Sequence, residues 1–333
     1  MENYWKNKNV LITGGTGYLG LEIASKLIEL SGKVICFSKD NPKEKSLFYT
    51  NKMQDKIKII LGNILDLELV KKTIQENNIE VVFHLAGQPI ANIGLEKPLE
   101  TIQTNVMGTT TLLEACRLTS SVKSILVASS IHAYNPNKPM PFREDDELKG
   151  KYPYEASKSC LDIISQCYGK TYDLNIGITR FSNIYGGGDL EFNRLVSKTI
   201  KDIIENNKIT LVHEGKPIRE FIYIKDAVRA NLSLAENIDR LKLKGEAFNF
   251  GLEKTYKVIE IVNMLIEIGK QFGFDAPEVK LSKQEVKDVR DLYPCSEKAK
   301  QLIGWNPEYS LREGLLETFK WYMDYFNLEA SKK

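Results

Sequence analysis

The sequence has few of the side chains that bind transition metals or form disulfides. Its 333 residues include five cysteines and only three histidines. No two cysteines form a Cys-x-x-Cys pair, and dedicated zinc or iron sites draw on clusters of such ligands. We therefore expect no metal site. The odd number of scattered cysteines also argues against a disulfide framework and favours a reducing compartment.

An excess of charge of one sign is lacking too, as are long apolar segments. Lys and Arg number 46 against 44 Asp and Glu, which leaves a net charge of +2. This balance predicts no basic surface for nucleic acid or an anionic membrane. No apolar run approaches the roughly 20 residues that span a bilayer, and residues 1–8 contain no signal-peptide core. We expect a cytoplasmic protein without nucleic-acid or membrane partners.

What the chain does contain is a regular alternation of apolar runs and helical periodicity. Hydrophobic residues make up 42% and charged residues 27%, which is typical of a globular protein. The predicted strands of the first half cover 9–13, 33–37, 56–61, 80–86, 124–129 and 175–180. The predicted helices cover 19–30, 68–77, 100–118 and 154–171. Such alternation predicts a Rossmann-type α/β fold, a doubly wound parallel sheet.

After about residue 180 the alternation loosens. Predicted helices over 195–206, 224–236, 258–272 and 311–325 are separated by short strands. This pattern predicts a smaller, mixed α/β C-terminal lobe. We expect a dinucleotide-binding domain over 1–180 and a substrate-binding lobe over 181–333, some of whose strands and helices return to the first domain.

A glycine-rich segment lies between the first predicted strand and helix. Residues 13–20 read Thr-Gly-Gly-Thr-Gly-Tyr-Leu-Gly. Glycines allow a tight turn and a close approach to a pyrophosphate, and a helix N-terminus offers unpaired N–H groups. The alternative is an ordinary tight turn. The predicted cofactor-binding residues here are Gly14, Thr16, Gly17, Tyr18, Leu19 and Gly20.

The end of the second strand bears on cofactor choice. It reads Phe-Ser-Lys-Asp over 37–40. Ser38 and Lys39 favour the 2′-phosphate of NADP, whereas Asp40 would suit the ribose of NAD; Lys39 is equally well interpreted as a surface residue. Asn63 and the adjacent Ile64 are predicted to contact the adenine. The sequence leaves NAD and NADP open.

A second chemical motif is Tyr154-Glu-Ala-Ser-Lys158. Residues four apart share one helix face, so the phenol and the ammonium address the same point. A nearby ammonium stabilises a phenolate, which suits the tyrosine to acid/base work near neutral pH. Ser130 follows the fifth strand and is predicted to bind the same substrate oxygen. The alternative is an exposed surface pair.

Several motifs together resemble the extended short-chain dehydrogenase/reductases, the nucleotide-sugar epimerases and dehydratases. The resemblance rests on the glycine segment, His-Leu-Ala-Gly-Gln over 84–88, Thr-Asn-Val-Met-Gly-Thr over 104–109, and the Ser130, Tyr154 and Lys158 set. It implies that Tyr154 and Lys158 also contact the nicotinamide cofactor. The further residues that it implies are Leu85, Ala86, Gly87 and Asn105 for the cofactor and Gln88 and Ser130 for the substrate.

The second lobe carries the resemblance further. Residues 180–186 are similar to the family's substrate-binding turn, 214–221 to its nucleotide-diphosphate segment, and 303–307 to its C-terminal motif. The implied substrate-binding residues are Asn183, Arg219 and Arg290, because the family clamps the substrate diphosphate with arginines. For Arg290 a surface role is the alternative.

Among the family's branches the chain resembles the CDP-glucose 4,6-dehydratases, but it departs from them after Ser130. Dehydratases carry an aspartic acid and then a Glu or Lys, where this chain has Ile131 and His132. Isoleucine cannot protonate a leaving hydroxyl. His132 occupies a position where some family members carry an acid/base group, and imidazole suits that task. The alternative is a histidine that packs beside the nicotinamide or hydrogen-bonds to the backbone.

These features predict an NAD(P)-dependent nucleotide-sugar 4-epimerase that acts through a transient 4-ketosugar. The other enzymatic hypotheses are a 4-ketosugar reductase, a 3- or 5-epimerase that uses His132, and a 4,6-dehydratase. The non-enzymatic hypothesis is a catalytically idle nucleotide-binding or redox-sensing protein. His84 is predicted to be a satisfied core residue and His213 a solvated one. The family also implies a homodimer, formed through the helices over 100–118 and 154–171.

Overall fold

The computed structural model of the protein describes residues 2–284 and 291–330. Arg290, a predicted substrate-binding residue, lies outside them. The described residues form two compact units, and each is discontinuous in sequence. The first unit contains residues within 1–181, 228–250 and 295–305, and the second contains those within 182–227, 251–294 and 306–333.

The first unit is built on a seven-stranded sheet in which all adjacent strands are parallel. Its strands are β1 (Asn9–Thr13), β2 (Lys33–Ser38), β3 (Ile57–Leu61), β4 (Val81–His84), β5 (Ser124–Ala128), β6 (Ile176–Phe181) and β10 (Lys244–Phe250). The order across the sheet is β10-β6-β5-β4-β1-β2-β3. This confirms the predicted Rossmann-type α/β fold and its first six strands. Strand β10 was not predicted from the pattern of residues.

The helices of the first unit cover both faces of the sheet. They are α1 (Glu2–Trp5), α2 (Tyr18–Glu29), α3 (Leu47–Thr50), α4 (Leu67–Glu76), α5 (Ala91–Glu96), α6 (Pro98–Ile102), α7 (Gly108–Arg117), α8 (Pro153–Tyr172) and α12 (Glu297–Ile303). Helix α10 (Ile224–Arg240) begins in the second unit and continues in the first. One hydrophobic core packs α4, α7 and α8 against the sheet, with Leu11, Val82 and Val127 at its centre. Strands β4 and β6 are buried at every position, as expected for a parallel sheet covered on both faces.

The strand order defines where a ligand can enter. From β1 the chain runs outward through β2 and β3, and from β4 it runs outward in the opposite direction through β5 and β6. In sheets of this kind, the loops that follow the carboxyl ends of the two central strands diverge and leave a crevice. The glycine segment follows β1 and residues 85–90 follow β4, so both lie at that crevice.

The second unit contains two small sheets. One has the order β11-β9-β7 and the other pairs β12 with β8. These strands are β7 (Asn183–Tyr185), β8 (Ile209–Leu211), β9 (Ile218–Tyr223), β11 (Thr255–Lys257) and β12 (Val279–Leu281). Its helices are α9 (Leu195–Ile204), α11 (Val258–Gln271) and α13 (Leu311–Ala330). The predicted mixed α/β character of this half is confirmed.

The structure corrects one predicted helix. The segment over 100–118 is not one continuous α-helix, because a π-helical turn, Gln103–Met107, separates α6 from α7. A π-turn inserts one extra residue per turn, and such turns are frequent at functional sites. Here the turn contains Asn105, whose side chain is buried.

Two findings concern membrane spans and metal sites. Across residues 2–284 and 291–330, every helix is too short or too polar to span a bilayer. The same residues bring together no group of three or more His, Cys, Asp or Glu side chains suited to a metal ion. All five cysteines are free thiols, of which Cys36 and Cys116 are buried and Cys160 and Cys167 are exposed.

Candidate active site

The glycine segment forms a tight turn that packs against the neighbouring strands. Gly14 has a φ of +67° and donates its N–H to the Phe37 carbonyl at 2.8 Å. A Cβ at Gly14 would lie 2.8 Å from the Ala86 nitrogen. Gly20, in the first turn of α2, lies so close to Gly14 that a Cβ there would meet the Gly14 carbonyl oxygen at 2.7 Å. Only glycine fits either position without displacing the backbone.

The N-terminus of α2 has the properties of an anion site. Its N-cap residue is Gly17, which has no side chain and so provides no cap for the N–H groups of the first turn. The next three residues are Tyr18, Leu19 and Gly20, and none of them is acidic. The twelve-residue helix therefore directs the positive end of its dipole, without a side-chain cap, toward the glycine turn. This arrangement fits the pyrophosphate of a dinucleotide.

The end of β2 is tied to the same turn. Ser38 is buried, and its hydroxyl accepts a 3.1 Å hydrogen bond from the Thr16 N–H. The Thr16 hydroxyl in turn donates to the Asp40 carbonyl at 3.2 Å. Lys39 and Asp40 are both exposed. Ser38 thus holds the glycine turn in place, while the two charged side chains that follow are available to a ligand.

The predicted adenine contacts separate into two environments. Asn63 is exposed, and its side-chain oxygen accepts the Leu65 N–H at 3.1 Å, which shapes the loop after β3. Ile64 is buried in the hydrophobic core. A Cβ at Gly108 would meet the Ile64 side chain at 2.7 Å, so this residue also fixes the start of α7.

The loop after β4 is anchored to β1 by Thr13. The Leu85 N–H donates to the Thr13 carbonyl at 3.1 Å, and the Ala86 N–H donates to its hydroxyl at 3.3 Å. A Cβ at Gly87 would lie 2.9 Å from the Asn105 side-chain oxygen. The three predicted cofactor residues of this loop therefore lie directly beside the glycine turn.

Asn105 and Gln88 fasten this loop from the other side. The Asn105 oxygen accepts the Gln88 N–H at 2.7 Å, and its amide nitrogen donates to the Gln88 carbonyl at 3.1 Å and to the Ser157 hydroxyl at 2.8 Å. The Gln88 side chain donates to the Thr101 hydroxyl at 3.0 Å and accepts the Ile90 N–H. Both side chains, predicted to contact ligands, are engaged within the protein.

His84 is a satisfied core residue, as predicted. Its Nδ1 lies 2.7 Å from the Thr13 hydroxyl and its Nε2 3.0 Å from the Thr109 hydroxyl. The Thr109 hydroxyl donates to the Asn105 carbonyl at 2.6 Å, so it accepts from His84, whose proton is therefore on Nε2. Burial lowers the pKa of His84 to about 3, with a smaller contribution from the charge of Lys158.

Ser130 begins a 3-10 turn, Ile131–Ala133, at the carboxyl end of β5. Its hydroxyl accepts the His132 N–H at 3.2 Å, which leaves its own proton free to donate. Ile131 is 1% exposed. The position at which dehydratases carry an aspartic acid thus holds an apolar side chain that packs in the protein interior.

Tyr154 and Lys158 lie in the first turns of α8, and both are buried. The Lys158 ammonium donates to the Ala128 carbonyl at the end of β5, at 2.8 Å. Burial lowers the pKa of Lys158 to about 8, against a smaller opposing effect of Asp162. The lysine therefore connects α8 to the strand that carries Ser130, and it titrates close to physiological pH.

His132 lies next to this pair. Its ring is edge-on to the Tyr154 ring, with the centroids 5.8 Å apart. Its Nδ1 lies 4.0 Å from the Glu155 Oε1, and the two side chains are 23% and 0% exposed. The first unit thus brings Ser130, His132, Tyr154 and Lys158 together at the carboxyl edge of the sheet.

The predicted substrate residues of the second unit lie on adjacent strands. Asn183 on β7 donates its side-chain amide to the Glu220 carbonyl at 3.0 Å. Arg219 precedes Glu220 on β9 and donates to the Ile218 carbonyl at 2.9 Å. Burial raises the pKa of the Glu220 carboxyl to about 8, although nearby N–H groups of residues 252–254 oppose that rise. The small sheet therefore carries Asn183 and Arg219 on two adjacent strands.

Sequence reasoning missed two residues that shape the site. Glu155 is buried beside His132, and a Cβ at Gly94 on α5 would lie 3.0 Å from the Tyr154 Cβ. Glu155 carried a signal, because it stands three residues after the N-cap Tyr152, where a glutamate closes a capping box. Gly94 carried none, since nothing in its neighbourhood of the sequence indicates what packs against it.

The comparisons with known proteins agree with the fold and with the motifs of the sequence. Residues 10–251 match the model of the NAD dependent epimerase/dehydratase family. The chain belongs to that family. This confirms the resemblance drawn from the motifs, and with it the enzyme class and a nicotinamide dinucleotide as the cofactor.

Three relatives illustrate the range of the family. The chain is 28% identical to a CDP-glucose 4,6-dehydratase of Salmonella typhimurium, over 96% of this chain and 92% of that protein. The UDP-glucose 4-epimerase of Thermotoga maritima, solved with UDP-glucose, is 27% identical with a TM-score of 0.84, over 96% of this chain and 99% of that one. The dTDP-glucose 4,6-dehydratase of Bacillus anthracis, solved with NAD, is 26% identical with a TM-score of 0.81, over 95% and 97%. Relatives of both activities are therefore similar to this chain.

Proposed function

We propose that the protein is a nucleotide-sugar 4-epimerase that acts through a transient 4-ketosugar. The observation that carries this proposal is the burial of Ile131 directly after Ser130. Loss of a hydroxyl from the sugar needs an acid at that position, and an apolar side chain cannot supply one. Ser130, Tyr154 and Lys158, which serve the oxidation and reduction of a sugar hydroxyl, are all retained.

Each of these side chains has a defined task in the proposal. Tyr154 removes the proton of the sugar 4-hydroxyl, and the Ser130 hydroxyl donates to the same oxygen. Lys158, held by the Ala128 carbonyl, favours the phenolate form of Tyr154 through its charge. When the ketone is reduced again, Tyr154 returns the proton. Inversion follows when the sugar ring turns over between the two steps.

The cofactor in this proposal is NAD. Residues of the glycine turn and the uncapped N-terminus of α2 would hold its pyrophosphate, and Asp40 would bind its adenosine ribose. When bound, the nicotinamide supplies reversible hydride transfer. The exposed Lys39 would favour NADP, and a 4-ketosugar reductase would release such a cofactor after each turnover. Mass spectrometry of the purified protein separates the two, because an epimerase retains NAD.

The substrate in this proposal is a nucleotide-diphosphate sugar, bound by the second unit. Arg219 would pair with a phosphate, and Asn183 would hydrogen-bond the sugar or the diphosphate. Gln88 would shape the site rather than bind the substrate, because its side chain is engaged with Thr101 and Ile90 and its backbone with Asn105. The UDP-glucose found in the Thermotoga maritima epimerase supports this class of substrate.

The proposal is tested by incubating the purified protein with a panel of nucleotide sugars and following the products by NMR and mass spectrometry. We expect one sugar to be converted to a product of equal mass with an inverted carbon-4. Tyr154→Phe should lower turnover roughly 100-fold or more. Tyr172→Phe, at the exposed end of the same helix, is the matched control. A product lighter by one water, or full turnover by Tyr154→Phe, would contradict the proposal.

We also propose that the protein is a homodimer formed through α6, α7 and α8. Leu99 on α6, Met107 at the end of the π-turn before α7 and Ile163 on α8 are 68%, 51% and 53% exposed, and exposed apolar side chains of this kind are typical of interaction surfaces. Cys160 and Cys167 flank Ile163 two turns apart and are also exposed. Ile163→Glu should convert a dimer to a monomer in gel filtration, whereas Leu281→Glu, equally exposed in the second unit, should not. A wild-type monomer at micromolar concentration would contradict the proposal.

A further inference from the structure

Asp162 lies on α8 four residues after Lys158 and has no role in the proposed reaction. Its side chain is 0% exposed. The Arg180 Nε and Nη2 donate to its two oxygens at 2.8 and 2.9 Å, and the Gln166 amide donates to Oδ1 at 2.9 Å. Three donors, two of them on a guanidinium, favour the charged form of a carboxyl group. Asp162 is therefore a buried anion, and both of its oxygens have partners.

The Arg180 guanidinium is fixed by further contacts. Arg180 stands on β6 and is 1% exposed. Its Nη1 donates to the Tyr134 hydroxyl at 2.7 Å and to the Glu144 carbonyl at 3.0 Å, and its Cζ lies 4.7 Å from the centroid of the Tyr134 ring. The Tyr134 hydroxyl in turn donates to the Asn249 side-chain oxygen at 2.7 Å. The guanidinium therefore cannot leave Asp162 without breaking its contacts to Tyr134 and Glu144.

Lys158 is a second buried cation near Asp162. Residues four apart on a helix are neighbours on one face, with roughly 5–6 Å between their Cβ atoms. The Lys158 ammonium donates to the Ala128 carbonyl at 2.8 Å, while the Asp162 oxygens accept from Arg180 and Gln166. Burial lowers the pKa of Lys158 to about 8, and the charge of Asp162 opposes that fall. Asp162 thus acts on Lys158 through its charge.

Other titratable groups surround this pair. They are His84 on β4, His132 in the 3-10 turn, Tyr134 and Glu144 after it, Tyr154 and Glu155 on α8, and Arg180 on β6. His84 is neutral, because burial and the charge of Lys158 lower its pKa to about 3. The Glu155 carboxyl accepts backbone N–H groups at the start of α8, and the Glu144 carboxyl accepts the Asn249 N–H. Asp162 is the carboxylate whose charge supports Lys158.

We propose that Asp162 is a positioning residue that keeps Lys158 in its charged form, and that Arg180 prevents the two from pairing directly. The first role follows because a nearby anion stabilises a buried ammonium. The second follows because Arg180 occupies both Asp162 oxygens, which leaves the Lys158 ammonium on the Ala128 carbonyl, at the end of the strand that precedes Ser130. The use of this charge rests on the proposed function, in which Lys158 favours the phenolate of Tyr154.

The two roles predict opposite effects of two substitutions. Asp162→Asn removes the supporting charge and leaves Arg180 as a buried cation, so the pKa of Lys158 should fall by about one unit. At pH 8 the charged fraction of Lys158 would then be about fivefold smaller. Arg180→Met fills the space beside Tyr134 and frees Asp162 to pair with Lys158, so the pKa of Lys158 should rise. A general loosening of the structure would not move this pKa in opposite directions.

The decisive experiment titrates Lys158 directly, by carbon-13 NMR of the purified protein labelled at the lysine Cε atoms. Lys158→Arg lacks this one signal and thereby assigns it. Asp173→Asn is the matched control, because Asp173 ends α8 with a side chain that is 92% exposed, and asparagine tolerates its φ of +57°. The control should leave the pKa of Lys158 as it is in the wild type.

The double variant Asp162→Asn with Arg180→Met keeps the test decisive if Asp162→Asn alone does not fold. It carries no unpaired member of the ion pair, and its Lys158 should still titrate below that of the wild type. An unchanged Lys158 pKa in the variants without Asp162, or a fall in Arg180→Met, overturns the proposal.

The pH profile of turnover provides a second measurement. Its alkaline limb should move to lower pH in Asp162→Asn and to higher pH in Arg180→Met. A limb that stays in place while the Lys158 pKa moves overturns the link between Asp162 and catalysis. If the wild type turns over no nucleotide sugar, the proposed function fails, while the NMR titration still decides the role of Asp162.

Discussion

The side-chain amide of Asn105 donates a 2.8 Å hydrogen bond to the Ser157 hydroxyl, and both residues are buried. Ser157 stands between Tyr154 and Lys158 on α8 and donates its own proton to the Tyr154 carbonyl at 2.6 Å. Asn105 also holds both backbone groups of Gln88. One buried amide therefore joins the loop after β4 to the helix of the proposed acid/base pair.

Asn105→Ala should destabilise the protein and misplace the site together. It leaves the N–H and the carbonyl of Gln88 without partners in a largely buried region, at a cost of roughly 2–4 kcal/mol in the free energy of unfolding. Asn63→Ala removes a similar side chain from an exposed turn and should cost less than about 1 kcal/mol. Urea unfolding of the two variants measures the difference. Equal losses would contradict the buried role of Asn105.

Gly14→Ala should abolish retention of the dinucleotide. Gly14 has a φ of +67°, and an added Cβ would clash with the Ala86 backbone. Gly304 has a φ of +66° with nothing within 4 Å of an added Cβ, so Gly304→Ala isolates the conformational strain of roughly 1–2 kcal/mol. We expect Gly304→Ala to purify with the same cofactor content as the wild type. Cofactor release from both variants alike would show that strain, rather than the close approach, decides binding.

The pH dependence of turnover should follow Lys158. Burial lowers its pKa to about 8 from the ordinary 10.5, so the ammonium is lost as the pH rises through 8 and turnover should fall with it. Lys158→Arg should be slower but keep its rate to higher pH, because a guanidinium does not titrate there.

The same pKa affects folding stability. The unfolded chain keeps the Lys158 ammonium protonated up to about pH 10, so the contribution of Lys158 to folding stability rises with pH between about 8 and 10. Rate profiles and unfolding curves of both proteins provide the measurement.

The acid sensitivity of folding should depend on His84. Its pKa is lowered to about 3 by burial, whereas an unfolded histidine titrates near 6.5. Between these values the unfolded chain binds the extra proton, so stability is lost as the pH falls below 6.5. From pH 7 to pH 5 the wild type should lose about 2 kcal/mol more than His84→Gln. Parallel pH dependence of the two unfolding free energies would contradict the neutral, buried state of His84.

The residues that the sequence makes predictable are those whose role is local. The glycine turn, the strands β1 to β6 and the pair Tyr154 and Lys158 follow from spacing within one strand–turn–helix unit. Strand β10 cannot be predicted in this way, because Lys244–Phe250 joins the sheet next to β6 only after the chain has passed through the second unit. Its burial results from long-range pairing, which the sequence pattern alone does not encode.

The same distinction holds at the site. Gln88 was predicted to face the substrate, yet its side chain bonds Thr101 and the backbone of Ile90, because α6 brings Thr101 within reach. The pairing of His132 with Glu155 likewise depends on the contact between a 3-10 turn and a helix that lie 23 residues apart in sequence. Side-chain partners of this kind are decided by packing.

The most direct test of the central claim uses a nucleotide sugar carrying deuterium at carbon-4. In the proposed reaction the label leaves the sugar as hydride and returns to the same carbon from the opposite face. Mass spectrometry should therefore show a product of unchanged mass. NMR should show the deuterium still on carbon-4 and that centre inverted. Loss of the label from carbon-4, together with a product lighter by one water, would contradict the account and assign the protein to the dehydratases.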